Sequence, residues 1–380
     1  MNFAYDKIVQ GIGWNKNLRG SGKTTKKKDQ GKEYIENRWN RFNDIPFYFE
    51  RNNIETNIIT IDDALKSNEK FVYYISWRSV SQSPSKYFGT LDNRFGILPI
   101  ELVIAINNKQ CKLVIWDHEA QPFTNMTSEF VCNKLQDAMI LPDNVVYITS
   151  NYKPTDESRM KVVVWSWCES HIGYSAKDII PKKDAKKFLC LNRNPAKHRT
   201  DFIRAMWDRD LLDQFNVSLG KVEGIDDFAK TTPYVYDSLS GNYEKDKLGF
   251  KDISFLHPWH QEENYLYVVT ESAFDTVDTL DISEKTFKPI AMKMPFIIVG
   301  QPFVLKKLKE LGYKTFPWDE SYDETVDPNK RMTSIVDLVV YLNSRKDFVE
   351  LIESCDEIVD HNFDLLKTRK PEMDMIRALS

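Results

Sequence analysis

A chain of 380 residues with 42% hydrophobic and 13% aromatic content can bury a sizeable core and is most simply two domains of ordinary size. No apolar run approaches the ~20 residues that cross a bilayer, and MNFAYDKIVQGIGWN lacks the charged and apolar regions of a secretory signal, so no membrane span and a cytoplasmic protein are expected, in the host cytoplasm if the chain is viral. The net charge of −4 hides an asymmetry: residues 1–42 hold ten Lys/Arg against four Asp/Glu, or +6, leaving −10 for the rest.

That first segment reads as a basic arm, and a basic arm on an acidic body suits a polyanionic partner such as nucleic acid, with Lys26, Lys27 and Lys28 as its contacts. It contains Gly20-Ser21-Gly22-Lys23-Thr24, but Asn17 stands where a P-loop needs its first glycine. No apolar strand precedes it, and a phosphate-binding P-loop is not expected.

A first α/β region follows, over residues 43–175. Strands are expected at 57–61, 71–77, 98–106, 111–116, 145–149 and 161–165, with a helix over 128–140 ahead of Pro142. The strand at 111–116 runs into Asp117-His118-Glu119. Three groups able to accept a proton thus stand at a strand's carboxyl end, where open α/β sheets place their chemistry. Glu119 is the first choice as a general base and Asp117 the second, with His118 orienting one of them. Glu101, inside the apolar run 98–106, and the Glu169-Ser170-His171 set are further candidates. The five cysteines are scattered, without a Cys-x-x-Cys pair, and read as buried thiols in a reducing compartment; no structural zinc is expected.

The polar stretch 173–187 is the best linker. Beyond it a second α/β region, 186–345, is expected to hold strands at 188–191, 216–219, 265–269, 296–299 and 314–316, with helices over 196–212 and 304–311. The helices from 333 to about 366 carry the chain into a C-terminal helical segment, 346–380. The strand at 188–191 leads into Asn192-Arg193-Asn194-Pro195-Ala196-Lys197-His198-Arg199. Arg193 and Arg199 there suit bidentate contact with a diphosphate, and His198 can protonate or hydrogen-bond a departing phosphate. Asp208-Arg209-Asp210, the one Asp-x-Asp triplet, falls at the end of an amphipathic helix and reads as a solvated face rather than a metal site. Trp259, in His257-Pro258-Trp259-His260, is a candidate for stacking on a base or sugar. Asp319-Glu320-Ser321-Tyr322-Asp323-Glu324 reads as an acidic surface loop.

Residues 265–300 are the most informative stretch. Strand, polar loop, Ser283 as an N-cap, Glu284 and Lys285 in the first helical turn and a second strand ending at Gly300 form the unit in which a helix N-terminus and a lysine meet an anion. The order Glu271-Ser272, then Asp281-Ile282-Ser283-Glu284-Lys285, then Phe287-Lys288, Ala291 and Pro295 resembles the donor-binding motif of α1,3-fucosyltransferases and, more loosely, of exostosin-like glycosyltransferases. The resemblance covers about 265–300, with a weaker extension back to 186. It lacks the motif's Asn between Glu271 and Ser272 and its Tyr after Asp281, and Lys288 replaces the helix arginine, which leaves the sugar and base of the donor open.

The resemblance implies a GT-B glycosyltransferase, two Rossmann-like α/β domains facing across a cleft, with the donor on the second domain and the acceptor entering from the first. It implies a UDP- or GDP-linked sugar as co-substrate, no cofactor and no essential metal. Glu271, Ser272, Glu284 and Lys285 would join Arg193, His198 and Arg199 as donor ligands, Glu284 on the ribose and Lys285 on the diphosphate. Together with the basic arm and a composition rich in Lys, Asn and Ile, similar to that of many phage proteins, it leaves two acceptors open: a hydroxymethylated base of phage DNA, or a surface or capsular glycan. A noncatalytic nucleic-acid-binding protein using the same arm is the alternative from another class.

Overall fold

The computed structural model describes residues 1–5, 45–77, 98–117, 123–172, 182, 185–192, 195–219, 256 and 258–380. The chain divides into two compact units, one of residues 1–167 and 371–380, the other of residues 168–370.

The first unit is built on strands β1 (Asn2–Tyr5), β2 (Asn57–Thr60), β3 (Phe71–Trp77), β4 (Cys111–Asp117), β5 (Val145–Thr149) and β6 (Lys161–Val164), with helices α1 (Ile45–Arg51), α2 (Ile61–Lys66), α3 (Ile100–Asn107) and α4 (Asn125–Asp137) between them. All six strands run parallel in the order β2-β1-β3-β4-β5-β6. Alternate residues feed two separate cores. Phe71, Tyr73, Leu113, Ile115 and Tyr147 join α2, α3 and α4 on one face. Phe3, Val72, Val114, Trp116 and Ile148 join α1 and the last helix of the chain on the other. Burial on both faces explains why β4 reads as an unbroken apolar run instead of an alternation.

Two expectations fail here. Residues 98–106 are not a strand: Pro99 stands at the N-cap of α3, whose Leu102, Val103, Ala105 and Ile106 are buried while Glu101 and Ile104 face outward. The β-branched isoleucines suggested a strand, but the burial pattern is helical, and a short apolar run does not separate the two. Glu101 is accordingly exposed and needs no buried partner. The basic segment also does not begin as an arm, since residues 2–5 are β1, paired on both sides inside the sheet. The remainder of that segment, with Lys26, Lys27, Lys28 and Gly20 to Thr24, lies outside the described residues.

The second unit opens within α5 (Trp167–Ile172) and contains β7 (Lys186–Asn192), α6 (Lys197–Trp207), β8 (Phe215–Leu219), α7 (Pro258–Glu262), β9 (Asn264–Thr270), α8 (Glu284–Ala291), β10 (Phe296–Val299), α9 (Val304–Glu310), α10 (Pro328–Ser344), α11 (Phe348–Glu353) and α12 (Asp356–Thr368). Its four strands are parallel in the order β10-β9-β7-β8. Helix α8 packs on β9 and α12, while α10 packs on α6 and β10. The expected strand at 314–316 is absent; Asn362 takes its place by accepting from Lys314 N at 2.7 Å and donating to Lys314 O at 2.8 Å. The final helix, α13 (Met373–Leu379), returns to the first unit, where Lys112 Nζ donates to the carbonyls of Ala378 and Leu379, each at 3.0 Å. No helix among the described residues is long and apolar enough to cross a membrane.

The two sheets thus share one wiring. Each starts on an inner strand, steps outward to its neighbour, then returns past the start and continues in the opposite direction. That reversal, between β1 and β3 in one unit and between β7 and β9 in the other, is the switch point at which open parallel sheets bind ligands.

Candidate functional site

The second switch point is where the sequence motifs converge. Thr270 Oγ1, at the end of β9, donates to Asn192 Oδ1 at the end of β7 at 2.6 Å and ties the two strand ends together. From the first turn of α6, His198 Nε2 lies 2.9 Å from the Glu271 carbonyl and Arg199 Nη2 donates to the same oxygen at 2.8 Å. His198 also lies flat on Phe274, with ring centroids 5.4 Å apart and planes 7° apart. Residues 190–192 and 197–199 on one side and 271–285 on the other, separate motifs in sequence, are one structure at the carboxyl edge of the sheet.

Glu271 is 1% exposed, and its carboxylate faces inward. Oε1 accepts from Ser283 N (3.1 Å) and Thr286 Oγ1 (2.5 Å), and Oε2 from Ser272 N (3.0 Å) and Ser283 Oγ (2.5 Å). Four donors from the loop and the first turn of α8 therefore occupy a carboxylate that the family resemblance implies as a ligand of the nucleotide-sugar donor. What Glu271 contributes at this edge is position: it fixes Ser272, Ser283 and the start of α8 relative to β9. Gly300 makes room for it, since a Cβ there would stand 3.0 Å from Ile298 Cγ2 and 3.2 Å from Glu271 Cβ. Gly300→Ala should displace Glu271 and cost about 1–3 kcal/mol of stability, read as a lowered urea midpoint. An unchanged midpoint would show that the edge tolerates the shift.

The loop from Glu271 to Ser283 is held at two more points. Gln301 Nε2 donates to the carbonyls of Thr276 (3.1 Å) and Thr279 (2.8 Å), and its Oε1 accepts from Asp281 N at 2.9 Å. The buried Arg331 donates through Nη2 to the Phe274 carbonyl and covers the Phe274 ring at 4.4 Å. Neither residue stood out in the sequence, because a lone Gln after a strand and an Arg in a helix are ordinary surface residues until their burial is known.

At the start of α8, Ser283 Oγ accepts from Lys285 N at 3.3 Å, so the helix N-terminus is already capped from within. Lys285 Nζ sits 2.7 Å from Glu284 Oε1 and reaches Ser272 Oγ at 3.2 Å. Burial raises the Glu284 carboxyl, but the Lys285 charge and hydrogen bond, the Lys288 charge and the residue's own amide outweigh it and bring the pKa to about 2. Burial likewise pulls Lys285 down, yet Glu284 and Glu271 hold its ammonium above the usual lysine value, against the opposing charge of Arg199. Two cations, Lys285 and Arg199, therefore share one electrostatic environment at the switch point, with a fully ionised carboxylate beside them. Arg193 lies outside the described residues, as does the side chain of Trp259.

The other candidates separate from this site. Asp117 ends β4 and is fully buried, with Oδ2 accepting from Tyr147 OH at 3.2 Å, while His118 and Glu119 lie outside the described residues. Glu169 accepts from Tyr313 OH at 2.8 Å and pairs with Arg369 Nε at 2.7 Å, which is a structural tie within the second unit. Asp208, Arg209 and Asp210 are exposed at the end of α6. Asp323, expected on an acidic surface loop, is 5% exposed and accepts from Leu305 N (2.9 Å) and Lys306 N (3.0 Å), capping α9. No cluster of three metal-ligating side chains occurs among the described residues. Compared with known proteins, the chain matches no family model and no curated sequence.

Proposed function

We propose that the chain is a nucleotide-sugar-dependent glycosyltransferase that moves a sugar from a UDP- or GDP-linked donor to a hydroxyl acceptor. The observation that carries this reading is that Arg199, bonded to the Glu271 carbonyl, and Lys285, paired with the ionised Glu284, both stand at the β7/β9 switch point and act on each other electrostatically. A diphosphate leaving group gains negative charge as its bond to the sugar carbon breaks, and fixed cations at that place lower the barrier. A carboxylate beside these cations suits ribose hydroxyls. Arg193, next in sequence after β7, would add a third cation.

The acceptor hydroxyl must lose its proton as the new bond forms. Glu119 remains the first candidate for that base, because Asp117 is buried and already engaged with Tyr147. A single displacement with inversion follows from one base and one leaving group. The +6 charge of residues 1–42 favours a polyanionic acceptor, DNA carrying hydroxymethylated bases, over a surface glycan.

Lys285→Ala should keep the fold and weaken nucleotide-sugar binding by about 1.5–3 kcal/mol, the range for a hydrogen bond to a charged group. Calorimetry against UDP-, GDP-, CMP- and dTDP-sugars, followed by transfer assays on hydroxymethylated duplex and on glycans, tests the whole reading. Equal affinity in wild type and variant would remove Lys285 from the site. Salt-sensitive DNA binding with no donor affinity would replace the enzyme by a nucleic-acid-binding protein.

A further inference from the structure

The sequence makes His198 a candidate phosphate ligand, and its geometry points elsewhere. A carbonyl oxygen only accepts, so the contact from Nε2 to Glu271 O puts a ring proton on Nε2, and in the neutral ring the lone pair is then on Nδ1. Among the described residues Nδ1 has no hydrogen-bond partner. Turning the ring by 180° would keep its plane against Phe274 but would put a carbon where Nε2 now meets the Glu271 carbonyl, so that bond selects the present orientation. An imidazole held this way meets a ligand with an acceptor, and phosphate oxygens are acceptors too.

We propose that His198 Nδ1 accepts a hydrogen bond from an uncharged donor group of the bound ligand, a hydroxyl or an N–H of the nucleoside or sugar, and is thereby a specificity-determining residue of the switch-point site. Its environment supports the neutral form. Burial lowers the imidazole pKa, and Arg199 on its own helix does the same, outweighing the Glu271 carbonyl and the charges of Asp275 and Glu271 on the loop that packs against it. Arg199 and Lys285 serve the anionic part of the ligand, and His198 reads the part that carries no charge. This division of labour rests on the nucleotide-binding reading above and adds to it which chemistry each side chain recognises.

His198→Gln is the informative variant, because a glutamine amide can replace Nε2–H toward the Glu271 carbonyl but offers nothing at Nδ1. Titration calorimetry with inorganic pyrophosphate, UDP, GDP and the tightest-binding nucleotide sugar, each between pH 5 and pH 8, supplies the readout. The expected result is an unchanged affinity for pyrophosphate and a loss of about tenfold for the nucleotide or the nucleotide sugar. If the loss appears already with the nucleotide, the group read belongs to the nucleoside; if only with the nucleotide sugar, to the sugar.

The pH dependence has opposite signs for the two roles. An accepting Nδ1 loses wild-type affinity on acidification, as the ring protonates below its lowered pKa, and His198→Gln removes that dependence; a phosphate ligand would gain affinity instead. Equal losses for pyrophosphate and nucleotide, or tighter wild-type binding at pH 5, overturn the proposal while leaving the nucleotide site in place. Unchanged affinity of His198→Gln for every probe also overturns it. A wild-type protein that binds none of the probes overturns both readings.

Discussion

Replacing Arg331 by methionine is expected to cost about 3–5 kcal/mol, at the upper end of what a single substitution does. The side chain is 1% exposed and is solvated by backbone carbonyls, with Nε on Gly300 O at 3.1 Å and Nη1 on Thr325 O at 2.6 Å and Val326 O at 3.0 Å; Nη2 bonds Phe274 O. Methionine fills much of the volume but donates nothing, so four carbonyls from three separate segments lose a partner at once. The damage should reach the site as well, because Phe274 carries His198 and Gly300 abuts Glu271. Two units give two unfolding transitions where their stabilities differ, and only that of residues 168–370 should move in urea. Nucleotide affinity should fall with it. Arg331→Lys should recover part of the loss, since one ammonium replaces some of these bonds without the planar fork. Equal midpoints for wild type and Arg331→Met would mean that water replaces the guanidinium at little cost.

Much of this architecture was legible because buried parallel strands leave a plain trace. The runs at β4, β5, β7, β9 and β10 are apolar without alternation, and Ser283 followed by Glu284 and Lys285 marks the start of α8 by capping chemistry alone. The failures have physical reasons of the same kind. Helix α3 is nearly all apolar because it covers a sheet, so composition did not separate it from a strand. Strand β1 has only four residues and no local signal of its own, and it becomes a strand through pairing with β2 and β3. At the site, the sequence pointed to the charged residues but not to their direction. Glu271 and Glu284 look equivalent in a motif. One is turned inward under four donors, and the other holds a lysine at the edge. Arg331 and Gln301, which fix the loop between them, could be found only from burial.

That contrast between the carboxylates gives the second large effect, a pH dependence carried by Glu284. Its folded pKa of about 2 lies below the ordinary glutamate value of 4.5. A carboxyl depressed in this way contributes stability that is fully present above about 4.5 and is lost as pH falls through 2. Lys285 works at the opposite end: its raised pKa gives a contribution that is present at neutral pH and is lost only as pH rises above the ordinary lysine range. Glu284→Gln should therefore lower stability at pH 6 and reduce the acid-limb slope between pH 4.5 and pH 2, so that the variant and wild-type curves converge in acid. Lys285→Met should lower stability at pH 6 as well, and more than the glutamine does, because it leaves the Glu284 charge buried without its partner. Urea midpoints for residues 168–370, taken at half-unit steps from pH 2.5 to pH 7, would show the convergence. Parallel curves for wild type and Glu284→Gln would place the acid sensitivity of this unit in another carboxyl and make the pair at the start of α8 a contact of little energetic weight.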